Sequence, residues 1–545
     1  VSRAVVLGLL TSALLACRPS KPPERPHAPL SKDAYAHYLD GKLAAYREDW
    51  DAAAEALALA AKAAPEQAMI AVELARAQDK AKRSDAARAT LAAARTRWPG
   101  HAEVWLVSGD LLAETTKPEA IKAYRRAIEL EPDAEEAYLG LAKLEAPAQA
   151  EATLEKLVVK VPDSVEGHYQ LAQRLAARDQ LARAITALRA VLERDPDHLD
   201  ARLDLARALR RTGEMAKAIE QTRSAFDRSG QALDIAEELY WLLCEADDRT
   251  GAIDLLTLLD DDRSDVEALS AVARLERGLG RTAEARAIAA RIALVDADAA
   301  AVLLGELDVQ TERDATVKRL LAIPRDSARF VDARKVVATA LLAAGDHVGA
   351  AAALAPAREL APKDLEARLL AAFATADAGD AAGARKLLAD AGTDLSAQFA
   401  RARLADHLGD VPGALAVLEP LLREHPDSAS AHNLAGYLLA EANQRLSEAE
   451  RWLKKARDLS PGDPAILDSW GWLLYRKGDY RGAIKILERA SRFAPNEPEI
   501  LLHLATATAA TMDTKGAAAL LARATALRPG PKLQRRIDAV RATLR

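Results

Sequence analysis

From residue 33 onward the chain alternates apolar stripes at helical spacing with short polar turns. In "YRGAIKILERASRF" the aliphatic and phenyl side chains fall at Ala483, Ile484, Ile486, Leu487, Ala490 and Phe493, along one face of a 3.6-residue helix. Such helices follow one another in pairs, joined by turns that often read "GD", "GE" or "GR". The pattern keeps a fixed phase. Prolines stand at 65, 99, 132, 162, 196, 362, 426, 461, 495 and 529, and several intervals are 34 residues. An alanine precedes each by twelve residues, from Ala53 and Ala87 to Ala483 and Ala517. Small residues recur twenty-four before most of the prolines, as at Gly41, Ala75, Ala172 and Gly471.

Each mark has a physical meaning. Small residues belong where two helices cross closely. A proline lacks an N–H and its ring clashes with the preceding turn, so it closes the second helix. One helix pair cannot bury its apolar face alone, so neighbours must stack. The prediction is all-α: an α-α superhelical solenoid of about fifteen helix pairs. It divides into an array over 33–297, a degenerate repeat over 298–328, a second array over 329–530, and a basic capping helix over 531–545. The unit around Pro147 has lost about four residues, and Gly230 and Ser264 replace the closing proline in two others.

Composition agrees with helices. Half of the 545 residues are apolar, and only 4% are aromatic. The net charge of -6, with both signs interspersed, gives no general reason to expect nucleic acid. The ten histidines are scattered, so no metal is expected. No HExxH, phosphate-binding loop or nucleophile elbow occurs. "GLGRTA", Gly278 to Ala283, lacks a preceding strand and reads as a repeat turn. The run Asp260 to Asp262 has no calcium-loop spacing, and Cys244 lies in an apolar run as a small core residue. Neither an enzyme nor a cofactor is expected, nor a small-molecule substrate.

The chain opens "VSRAVVLGLLTSALLACRPSKPPERPHAPLSKD". A short basic start and an apolar stretch read as an export signal over 1–16. The end "LLAC" resembles the lipobox of bacterial lipoproteins, in which the cysteine thiol is diacylated, the signal is cut before it, and the new amine is acylated. The resemblance implies a lipid on Cys17. A Pro-rich tether over 17–32 follows. Arg18 after the cysteine implies, by the sorting rule of such lipoproteins, the outer membrane, with the chain facing the periplasm. A plain secretory signal is the alternative.

The 34-residue pattern resembles the tetratricopeptide repeat over roughly 33–530. In that family the first helix of each unit lines a concave groove, and positions 2, 5, 9, 12 and 13 bind protein or peptide partners. Carried onto this chain, those positions imply a site of Asn433, Tyr437, Asp468, Trp472, Tyr475 and Arg476. Trp470 and Leu474 then belong to the core, with Gly471 at the helix crossing. The alternative for Trp472 is packing on the neighbouring repeat. A second patch is Tyr35, Tyr38, Lys42 and Tyr46, for which capping of the first repeat is the alternative. Arg207, Arg210 and Arg211 could hold an acidic segment or form a solvated face. The Lys and paired Asn of the two-carboxylate clamp are missing. The repeats around "DSWGW" are similar to large outer-membrane lipoproteins of Gram-negative bacteria, one of which is an adaptor for a periplasmic processing protease. The expected function is a membrane-anchored scaffold or adaptor. The rivals are peptidoglycan or carbohydrate binding, and a part in exopolysaccharide secretion.

Overall fold

The computed structural model describes residues 30–261, 265–309 and 312–544. The expected signal over 1–16, Cys17 and nearly all of the tether lie outside the described residues, as do Asp262 and Ser264. Among the described residues there are 31 α-helices and no strand. They form fifteen consecutive pairs, from Lys32–Tyr46 with Trp50–Ala63 to Pro498–Ala510 with Thr514–Ala526, followed by a last helix Pro531–Thr543.

The repeat marks do what their chemistry requires. Ten alanines that stand twelve residues before the prolines, Ala53, Ala87, Ala120, Ala150, Ala184, Ala350, Ala414, Ala449, Ala483 and Ala517, are all 0% exposed. At the crossing position, a Cβ on Gly471 would lie 2.5 Å from Leu487 Cγ, and one on Gly436 would lie 2.5 Å from Leu453 Cγ. The turns between paired helices repeat one device. Gly478 takes φ +84°, a conformation costly for other residues. Asp479 then caps the next helix by accepting from the Gly482 N–H at 2.9 Å. The same Gly-Asp-x-x-Gly device starts His347–Leu360, Ala381–Leu387 and Val411–Glu424.

The chain forms two compact units, the first ending at Pro196 and the second beginning at Asp197. The degenerate stretch 298–328 lies within the second. Its helices, Ala297–Asp308 and Arg313–Leu321, are short. The nearly buried Arg334 packs against this stretch, donating to the carbonyls of Leu320, Leu321 and Ile323 at 2.7, 3.2 and 3.3 Å. Its guanidinium also lies over the Phe330 ring at 4.3 Å.

Within the second unit the solenoid returns on itself. Arg492 donates to both carboxylate oxygens of Asp247 at 2.9 and 2.7 Å. Arg249 reaches the Arg492 carbonyl at 2.6 Å, and Arg210 the Arg457 carbonyl at 3.2 Å. Gly462 makes the seam close: a Cβ there would lie 2.2 Å from the Trp241 carbonyl oxygen. Arg210 is thus a structural tie, and Arg207 holds Glu238 through two bonds of 2.9 Å. Cys244 is fully buried beneath this seam, and burial pushes its thiol up to about 12, so it is a core residue.

Candidate functional site

The helix Pro464–Arg476 carries the sequence "PAILDSWGWLLYR". Asp463 caps it by accepting from the Ala465 N–H at 2.8 Å, and Pro464 fills the first turn, where no N–H is needed. Residues 470 and 472 lie on nearly opposite faces of a helix, so at most one can face a given neighbour. The expected roles are reversed. Trp472 is 6% exposed, whereas Trp470 is only half-buried under the Arg457 guanidinium at 4.8 Å.

Trp472 is covered because the adjoining first helices close on it. His503, from Pro498–Ala510, stacks on the indole at 4.2 Å and Tyr475 stacks at 4.8 Å. The indole N–H donates to Glu441, from Ala429–Glu441, at 2.6 Å. Arg476 lies over the Trp472 ring at 4.6 Å and donates to the Glu441 carbonyl at 2.9 Å. Trp472 therefore offers no free ring face to a partner or a sugar. Packing on the neighbouring repeat is its role.

A buried polar network continues from there. His503 is 0% exposed, and its Nδ1 lies 2.9 Å from both oxygens of Asp468. From the last helix, Arg536 donates to Glu499 at 2.6 Å and reaches Glu441 at 3.4 Å and His503 Nε2 at 3.3 Å. Tyr437 donates its hydroxyl to Glu499 at 3.3 Å. Burial works against a charge on His503, but Asp468 and Glu499 outweigh it and raise its pKa. Burial also opposes the Glu499 charge, yet His503 and Arg536 hold its pKa below the usual carboxylate range. The last helix buries Ile537 fully, and Arg536 ties it to two repeats, through Glu499 and Glu441.

Five of the six expected residues, Tyr437, Asp468, Trp472, Tyr475 and Arg476, thus meet in one cluster. Asn433 joins Tyr437 and Asp468 on the wall of a cavity of about 620 Å³. Its floor includes Phe399, Leu434 and Ile466, and four successive first helices contribute to it. Asn433 Oδ1 is buried and has no hydrogen-bond partner among the described residues. Sequence reasoning missed Glu441, His503 and Arg536. A signal existed for His503, which stands 35 residues after Asp468, one repeat along the same wall.

In the first unit, Tyr35 and Tyr46 are exposed, at 54% and 87%, while Tyr38 packs with Leu57 and Leu74. Lys42 pairs with Glu73 at 2.9 Å. Lys42 and Tyr46 line a cavity of about 670 Å³ with Trp50, Arg76 and Asp110. Among the described residues no cluster of His, Cys, Asp and Glu could hold a metal ion, and no helix is long and apolar enough to cross a membrane.

The chain belongs to the tetratricopeptide-repeat family. Two family models described as tetratricopeptide repeat match it, one over 38–102, 72–117 and 399–464, the other over 175–232 and 474–542. A TPR repeat-containing protein of Pseudomonas aeruginosa is 39% identical over 97 residues, 18% of this chain and 16% of that protein. The match therefore spans only a small part of that relative's length. Among solved structures, yeast Tom70 is similar with a TM-score of 0.35 and 15% identity over 82% of this chain and 96% of Tom70. YrrB, described as a TPR protein with an unusual peptide-binding site, gives 0.29 and 21% identity over 34% of this chain and 98% of YrrB.

Proposed function

We propose that this tetratricopeptide scaffold is a membrane-anchored periplasmic adaptor that holds a segment of another protein at the cavity beside Asn433. The observation that carries the binding reading is that cavity. It opens on the wall formed by successive first helices and sets the apolar side chains of Phe399, Leu434 and Ile466 beside Asn433 and Ser430. A solenoid offers such a surface without rearranging its core. The buried network behind it, from Glu441 to Arg536, holds the wall rigid, and rigidity lowers the ordering cost of capture.

The anchor reading rests on "LLAC" and the Pro-rich stretch after it. A lipid on Cys17 would place the repeats on the periplasmic side of the outer membrane. There the protein would keep an envelope protease beside its substrates, or hold an envelope complex together during assembly, without bond chemistry of its own. Burial of Trp472 removes the aromatic face that favoured a sugar ligand.

The test is purification of the tagged protein from its own membranes. Mass spectrometry of the N-terminal peptide is expected to show acylated Cys17 as the first residue. Protein partners should co-purify and be lost in Asn433→Arg, which fills the cavity mouth with charge. An unmodified Cys17 would reject the anchor. Identical partners in the variant would reject the site.

A further inference from the structure

The cavity beside Asn433 has a distinct charge pattern. Four carboxylates line it, Asp463, Asp468, Glu497 and Glu499, against one cation, Arg403. Two of the four are already matched inside the fold: Asp468 by His503 at 2.9 Å and Glu499 by Arg536 at 2.6 Å. Asp463 and Glu497 have no ion-pair partner among the described residues. They stand at equivalent places, each the residue before a first helix, at Pro464–Arg476 and Pro498–Ala510. Desolvation, opposed by bonds from the Ala465 and Ile466 N–H groups, raises the Asp463 pKa. Desolvation, opposed by Arg277 and joined by the negative charge of Glu499 and Asp468, raises that of Glu497. A cation placed beside them would favour the charged form of each.

Below them the floor is apolar, with Phe399 and Leu434 half-buried. The cavity thus combines a contact area for an aliphatic side chain with two carboxylates, Asp463 and Glu497, that make no ion-pair contact, while Arg403 is the one cation in its lining and Arg277 acts on Glu497 from a neighbouring helix. An acidic segment, or a free C-terminal carboxylate, would meet repulsion there.

We propose that the segment held at this cavity is extended and cationic, with a lysine or arginine side chain directed at Asp463 and Glu497 and an aliphatic neighbour lying on Phe399 and Leu434. This rests on the groove reading above and narrows it to one class of partner.

The experiment uses the full chain and three labelled peptides of twelve residues, leucine alternating with lysine, serine or glutamate, followed by fluorescence anisotropy. The lysine peptide should bind about tenfold more tightly than the serine peptide, with the glutamate peptide weakest, and the preference should fall as salt rises. Asp463→Asn with Glu497→Gln should remove the preference. Asparagine keeps the helix cap, and circular dichroism checks that the variant is folded. Equal binding of the three peptides, abolished by Asn433→Arg, would overturn the charge inference and leave the groove reading standing. A lysine preference that survives the double substitution would place the cation elsewhere and overturn it as well. Binding untouched by Asn433→Arg would remove the groove reading itself.

Discussion

The two candidate patches are built in opposite ways. At the start of the first unit, Tyr35 and Tyr46 stand in solvent and only Tyr38 packs inward. In the C-terminal repeats, the aromatic and charged residues of the groove wall are mostly used by the fold. Trp472, Asp468 and His503 are buried against one another, and what remains open is the cavity beside them. The lesson is that a groove position in a stacked repeat is not by itself a surface position. The next repeat can cover it, and an aromatic there then measures packing.

This contrast can be broken by substitution. The largest effect is expected from Trp472→Ala, a loss of about 3–5 kcal/mol for a buried aromatic. Trp470→Ala, on the half-buried face, should cost about 1 kcal/mol. Urea titration followed by the remaining tryptophans would read both. Similar losses at the two sites would contradict the reversed roles.

Next comes Asp468→Ala, which leaves His503 buried without its partner, at about 3 kcal/mol. The same pair predicts a pH dependence. The folded His503 pKa is raised above the ordinary 6.5, so its contribution is full below that value and is lost as pH rises through the folded pKa. Glu499, with a lowered pKa, acts in the other sense, contributing above about 4.5 and losing its contribution as pH falls. The protection of amides in Pro464–Arg476, taken relative to the intrinsic exchange rate at each pH, should therefore be greatest at mildly acidic pH. Asp468→Asn should flatten the alkaline side, and an unchanged profile would count against the pairing.

A smaller, local effect follows at Gly471. Gly471→Val must displace Leu487, at about 1–3 kcal/mol. Faster exchange should appear in the last few helices and spare Lys32–Tyr46, because a repeat array loses stability by neighbours. Uniform loss along the chain would contradict this. Tyr46→Ser, on the exposed side of the comparison, should shift stability by under about 0.5 kcal/mol.

Much of the fold was legible because the repeat writes its rules into residue type. Ala483 has no room for more than a methyl, and Gly471 none for a Cβ, so a fixed spacing betrays them. Most of the fifteen pairs follow from that spacing, and the degenerate stretch 298–328 is the exception. The site was legible in part. Position in the repeat brought Tyr437, Asp468, Trp472, Tyr475 and Arg476 to one wall, but exposure depends on partners in other repeats. Glu441, His503 and Arg536 come from three different helices, and their convergence needs the stacking angle, which no local pattern encodes. The seam joining Asp247 to Arg492 is more distant still, since it depends on how far the second unit curls.

The central claim is that a partner chain lies at the cavity beside Asn433. Its most direct test is site-specific crosslinking in cells, with a photoreactive benzophenone residue placed at Ser430, exposed on the edge of the cavity lining, and, separately, at Arg451 and Tyr46. Arg451 lies on the second helix of its pair, Leu446–Leu459, with its side chain 71% exposed. Crosslinks to partner are expected at 430, suppressed by Asp463→Asn with Glu497→Gln, and none at 451. Crosslinks at 46 or 451 with none at 430 would contradict the claim.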